Sequence, residues 1–162
     1  MDYMKEERER GITIRSACIS FSWNEHQINL IDTPGHIDFN LEVERSLRVL
    51  DGAILIIDGV NGVETQSETV WKQANKFGVP RLVFVNKMDR IGSNFNKSLE
   101  GIEEKLNAKA LPLQMPLIQS ESLRAVVDLV EMKKITWKDD QGNVVEIEEL
   151  SPGSDIHKTA TE

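Results

Sequence analysis

Two short, unbroken apolar runs, "GAILIID" (Gly52–Asp58) and "RLVFVN" (Arg81–Asn86), constrain the fold of this chain more than any other feature. Strands without polar alternation are expected where a parallel sheet is covered on both faces. Between them, "ETQSETVWKQANKFG" carries Val70, Trp71 and Ala74 at helical spacing and ends on Gly78, a helix stop. Upstream, Ala17, Ile19, Phe21 and Trp23 alternate as on one face of a strand, "NEH" reads as a turn, and "QINLIDT" returns, so residues 16–32 read as a hairpin. Strand and helix then alternate, which predicts an α/β sandwich.

The texture changes after about residue 110. "LPLQMPLI", "LRAVVDLV", "KKITW" and "NVVEIEEL" read as short strands, with "DDQGN" as a hairpin turn. The predicted organisation is residues 1–110 as the α/β part, 111–150 as part of a small β-rich insertion, and 151–162 as a tail with little to bury. At 162 residues, one domain with a sizeable core and an appendage is the expectation. The formal net charge of −8 argues against non-specific nucleic-acid binding by the chain as a whole, while leaving room for a local contact with RNA. Cys18 is the single cysteine and forms no internal disulfide, and no apolar run approaches membrane-spanning length. Nothing in this balance calls for a membrane, for DNA or for a second copy of the chain.

Two motifs stand at strand ends in a fixed order. "DTPGH" (Asp32–His36) follows "QINLI", and "NKMD" (Asn86–Asp89) follows "RLVFV". In an open parallel sheet, ligands lie beyond the carboxyl ends of the strands, and guanine-nucleotide chemistry accounts for both motifs. A carboxylate at Asp32 can hold Mg²⁺ through a water, and Gly35 lets a backbone N–H approach a γ-phosphate with no Cβ in the way. In "NKMD", Asp89 can accept the two N–H groups on the guanine edge, while Asn86 and the stem of Lys87 frame the base. A third element, "ERERGITI", places Thr13 after Gly11 as the end of a loop that closes over the nucleotide, with the Thr13 hydroxyl on Mg²⁺.

With these residues in view, the chain resembles the translational GTPases, and specifically the elongation factor G family. "ERERGITI", "DTPGHIDFNLEVERSLRVLDGA", "GVETQSETVWKQA" and "VNKMDR" carry the likeness, which extends over roughly residues 1–137. The resemblance implies a P-loop GTPase-type α/β sandwich with a mostly parallel sheet, followed by a β-rich insertion. It implies GTP and Mg²⁺ as cofactors, and the ribosome, through the sarcin-ricin loop of its large-subunit RNA, as partner. His36 would be the catalytic residue, drawn beside the attacking water by that RNA; Ile12 would be one wing of an apolar gate restraining it. "MDYM…ERERGITI…SFSW" is similar to the mitochondrial elongation factor G 2 type, associated with ribosome recycling. That type implies a mitochondrial location, with a bacterial cytoplasmic one as the alternative.

Taken singly, a histidine after Pro-Gly is more often a turn residue than a catalyst, and "NKMD" is a common enough surface tetrapeptide. Their ordered combination with "RGITI" favours the functional reading. His26 and His157 lack such company and read as a turn and a tail residue. Asp38, Glu42, Glu44 and Asp51 read as helix-surface charge rather than a metal cluster, and Trp71 and Phe77 as core.

The chain contains no phosphate loop of the Gly-x-x-x-x-Gly-Lys-Ser/Thr form. The resemblance places that loop and its strand upstream, which implies that Met1 is an internal methionine of a longer chain. It also places the missing strand between the one ending at Asp32 and "GAILIID", so its two neighbours would show open edges or pair directly. The guanine loop of Ser-Ala type is not found either, and "PLIQSESLRAVVDLV" departs from the Gly-Ala pattern of the family's insertion. The expected function is thus that of a segment of a ribosome-dependent GTPase acting in translocation or recycling. A short, non-catalytic interaction module is the alternative.

Overall fold

The structure, a computed structural model, describes residues 16–35, 38, 40–119, 122–139, 142–152 and 156. In chain order they form β1 (Ala17–Trp23), β2 (His26–Asp32), α1 (Asn40–Leu47), β3 (Ala53–Asp58), α2 (Thr65–Lys76), β4 (Arg81–Asn86), α3 (Phe95–Leu106), β5 (Gln114–Gln119), β6 (Ser122–Asp128), β7 (Lys133–Trp137) and β8 (Val145–Glu149). Described residues up to Leu55, together with Glu64–Val83, make one compact unit; Ile56–Val63 and those from Phe84 onward make a second.

In the first unit, β1 and β2 pair antiparallel from Ala17↔Asp32 to Trp23↔His26. Asn24 and Glu25 turn the hairpin at φ 47° and 64°. Two consecutive left-handed residues give the turn whose twist matches that of the flanking strands. The turn is thus two residues long; His26 already belongs to β2, and its ring Nδ1 lies 2.6 Å from the Asn24 carbonyl oxygen. The apolar face predicted for β1 forms, but Ile19, Phe21 and Trp23 are exposed on it.

The core of this unit lies between the two helices. Val43 and Leu47 of α1 bury against Ala74 of α2 and Val79, with Leu50, Ala53, Val70 and Phe77 packed around them. Burying each Val or Leu contributes about 1.5–3 kcal/mol, and the small Ala74 side chain sits where the helices meet. Helix α2 stops at Gly78 as its sequence predicts: Gly78 takes φ +65°, and the Val79 N–H returns to the Ala74 carbonyl at 3.1 Å. Trp71 and Phe77 prove half-buried rather than central. Cations cover their outer faces, with Arg81 3.8 Å above the Trp71 ring and Lys76 5.2 Å above Phe77. Glu42 pairs with Arg45 and Glu44 with Lys76, which accounts for those two carboxylates as surface charge.

Strands β3 and β4 form a two-stranded sheet. Ala53 N–H donates to the Pro80 carbonyl at one end and Gly59 N–H to the Asn86 carbonyl at the other, so the pairing advances in one direction and the strands are parallel. The expectation of two covered faces is met on one only. Ile54 and Ile56 on β3, and Leu82 and Phe84 on β4, are 56–64 % exposed, while the residues alternating with them are half-buried or buried. Among the described residues, β2 and β3 belong to different sheets, so these two strands do not pair directly.

In the second unit, α3 is capped at both ends. The Asn94 side chain accepts from Lys97 N–H at 3.0 Å, and Asn107 closes the helix in the left-handed conformation. Strands β5 to β8 form an antiparallel sheet in chain order, confirming four short strands after residue 110. Pro116 sits on β5, an edge strand, where a missing ladder donor is tolerated. A register shift between Leu117 and Ile118 marks the stretch whose sequence departs from the family pattern. Asp139 accepts from Val144 N–H at 2.8 Å across the β7–β8 connection, with Gly142 at φ +72° within it. No described helix is long and apolar enough to cross a membrane.

Candidate functional site

The two motifs lie in different units, and each has its own geometry. In the first, Asp32 ends β2 opposite Ala17 and is half-buried. Pro34 behind it is fully buried, whereas Gly35 is exposed. A Cβ on Gly35 would meet nothing within 4 Å, and its φ lies outside the left-handed region. Among the described residues, packing does not require glycine at this position. His36, Ile12 and Thr13 lie outside the described residues.

In the second unit, Asn86, Lys87 and Asp89 come together at the carboxyl end of β4. Asn86 uses its Oδ1 to accept Lys87 N–H at 2.9 Å, and its carbonyl accepts from Gly59 N–H at 2.8 Å. Lys87 turns the chain at φ +63°, Met88 drops into the interior, and Asp89 is exposed. Arg90 N–H returns to the Lys87 carbonyl at 3.1 Å and Ser93 Oγ donates to the Met88 carbonyl at 3.0 Å, so the loop is braced from both ends.

The motif reading overlooked Asp58 and Gly59, at the carboxyl end of the adjacent strand β3. Asp58 Oδ1 accepts from Val60 N–H at 2.8 Å and Asn61 N–H at 3.2 Å, while Oδ2 takes the Lys87 ammonium at 2.5 Å. The lysine hydrogen bond, backed by the Val60 N–H, holds the Asp58 carboxyl down to about 2. Gly59 is needed for packing: a Cβ would sit 2.6 Å from Met88 Sδ and 2.9 Å from the Asn86 carbonyl oxygen. The available signal was position, since Asp58 ends a parallel strand directly before Gly59, with Gly62 close behind.

A parallel strand pair with polar turns gathered at its carboxyl ends, joined by a helical crossover, defines an α/β nucleotide-binding type of domain. The sequence matches the elongation factor Tu GTP binding domain over residues 1–158, and the chain belongs to that family. It is 61 % identical over 137 residues to elongation factor G 1 of Bdellovibrio bacteriovorus, a match covering 85 % of this chain and 20 % of the relative. Against elongation factor G of Wolbachia pipientis (subsp. Culex pipiens) it is 56 % identical over 140 residues, covering 86 % of this chain and 20 % of that protein. The chain thus spans about one fifth of the length of these curated relatives. A crystal structure of a protein from Thermus thermophilus shares the fold, with a TM-score of 0.83 at 24 % identity over 98 % of this chain and 24 % of that one. The mitochondrial expectation is corrected by these relatives: both are elongation factors G of bacteria.

Proposed function

We propose that these residues serve a ribosome-dependent GTPase of the elongation factor G type, in which GTP binding and hydrolysis drive a step of protein synthesis. The reading rests chiefly on the braced turn at the end of β4, where Asn86, Lys87 and Asp89 stand together beside Asp58, in a chain of the elongation factor Tu GTP binding domain family. Asp89 would select guanine by accepting from the base edge, with Asn86 and Lys87 framing the ring. The open space at Gly35 supports close approach of a γ-phosphate to its N–H. Asp32 and Thr13 carry the hard oxygen donors that Mg²⁺ takes; the ion would neutralise charge on the phosphates. His36 would orient the attacking water once the sarcin-ricin loop of ribosomal RNA draws it into place. Positioning and electrostatic stabilisation dominate phosphoryl transfer, so this role needs no strong base.

The test is a full-length chimera in which residues 1–137 replace the matching segment of the Bdellovibrio relative. Single-turnover GTP hydrolysis is expected to be stimulated by ribosomes. His36→Ala is expected to keep its GTP affinity while losing roughly a hundredfold or more of that rate. A chimera that ribosomes fail to stimulate would refute the reading and favour the interaction module; a near-normal rate for His36→Ala would remove His36 from the mechanism.

A further inference from the structure

We propose that Asp58 is a positioning residue for nucleotide recognition: it anchors the ammonium of Lys87 and thereby fixes the lysine stem against which the guanine ring is framed. The inference rests on the guanine reading above and assigns a residue outside the NKMD motif to the same site.

Asp58 has the geometry of a bracket. One carboxylate oxygen is tied into its own loop by two backbone N–H groups, from Val60 and Asn61, and the other holds Lys87 from the adjacent strand. The carboxylate is therefore already oriented before it meets the lysine. A pair formed by a pre-oriented acceptor loses less side-chain freedom than one between two mobile chains. The Asp58 side chain is 17 % exposed and that of Lys87 39 %, so the carboxylate is sheltered while the ammonium stays open to salt.

Lys87 needs such an anchor. Its backbone lies at φ +63°, a conformation that side chains other than glycine, asparagine and aspartate adopt at a cost. Three contacts hold it there: Asn86 Oδ1 on its N–H, Arg90 N–H on its carbonyl and Asp58 on its ammonium. The two loops are also locked backbone to backbone, by Gly59 N–H to the Asn86 carbonyl at 2.8 Å and Asn94 N–H to the Gly59 carbonyl at 2.9 Å. With the backbones fixed, the ion pair governs where the lysine side chain lies. Loss of the Asp58 charge leaves the loop in place and frees the stem.

Asp58→Asn separates these roles, because an amide oxygen still accepts from Val60 and Asn61 while the negative charge is gone. The full-length chimera is loaded with a fluorescent GDP analogue and release is followed at low and high KCl, with xanthosine diphosphate as competitor. If the unmodified chimera shows no preference for guanine over xanthine, the guanine reading itself fails, and Asp58 falls with it. If it does prefer guanine, Asp58→Asn is expected to release GDP roughly five- to tenfold faster at low salt, the range of a charge-assisted contact. Added KCl should bring the unmodified protein towards the variant while leaving the variant nearly flat. In a Lys87→Gln background, Asp58→Asn should add nothing. Release at the unmodified rate would overturn the proposal. So would an acceleration that persists undiminished in the Lys87→Gln background, since Asp58 would then act through its loop alone. That comparison decides even where Asp58→Asn lowers thermal stability, because a packing defect does not depend on Lys87.

Discussion

The side-chain amide of Gln66 donates to Asn40 Oδ1 at 2.7 Å, tying the first residue of α1 to the first turn of α2. Lys76 and Glu44, 2.9 Å apart, make a second tie between the same helices. Helix α1 is thereby held to α2 at points beyond its apolar contacts, and α1 is the element that follows the segment carrying His36. Gln66→Ala is expected to cost about 1 kcal/mol, the net worth of one hydrogen bond, and so to speed amide exchange across Asn40–Leu47 roughly fivefold. Both substitutions remove Gln66 Oε1, which is buried without a partner, but Gln66→Leu should cost less because leucine keeps most of the side-chain volume that alanine deletes. Native-state hydrogen exchange measures both; unchanged protection in Gln66→Ala would show that the apolar contacts alone hold α1.

Two glycines of the second unit should respond in opposite directions. Gly59→Ala drives a Cβ into the Asn86 carbonyl and Met88 Sδ, and overpacking of this kind costs about 1–3 kcal/mol. Gly101→Ala lies inside α3, where the new Cβ meets Val63 at 3.5 Å, an ordinary contact, and the helix gains about 0.5–1 kcal/mol. Urea unfolding of the two variants should place them on opposite sides of the parent.

The Asp58 carboxyl should titrate at about 2 rather than at its ordinary 3.8, because Lys87 and the Val60 N–H favour its ionised form. A carboxyl lowered in the folded state contributes stability that is fully present above its unfolded value and is lost as pH falls through the folded one. The window therefore runs from about 4 down to about 2, and Asp58→Asn should flatten that part of the stability profile. Carboxyl-carbon NMR of Asp58 checks it directly; a midpoint near 3.8 would mean that the pair with Lys87 does not form in solution.

Asp89 is exposed on the braced loop, and under the proposed function it meets the base edge. Asp89→Asn exchanges an acceptor for an amide that suits a 2-keto purine. An unmet polar group at the base edge costs about 1–3 kcal/mol, so preference should move roughly tenfold or more from guanosine towards xanthosine nucleotides. Competition binding in the full-length chimera reports the ratio, and full retention of guanine preference would remove Asp89 from base selection.

Much of the architecture was legible because it depends on neighbours in sequence. Alternation at Ala17–Trp23, the stop at Gly78, and the unbroken runs at Gly52–Asp58 and Arg81–Asn86 are local patterns, and each became the predicted hairpin arm, helix end or parallel strand. The order of "DTPGH" and "NKMD" at strand ends likewise identified the nucleotide-binding family, since turn chemistry is written in a few consecutive residues. Other features needed the tertiary structure. Asp58 meets Lys87 across 29 positions and Gln66 meets Asn40 across 26, contacts created only when β3 lies beside β4 and α1 beside α2. The sides of β3 and β4 show the same division. An apolar run marks both faces as fit for burial, but Ile54, Ile56, Leu82 and Phe84 remain exposed while their alternates pack, because burial is set by which element lies against a face and not by the residues on it.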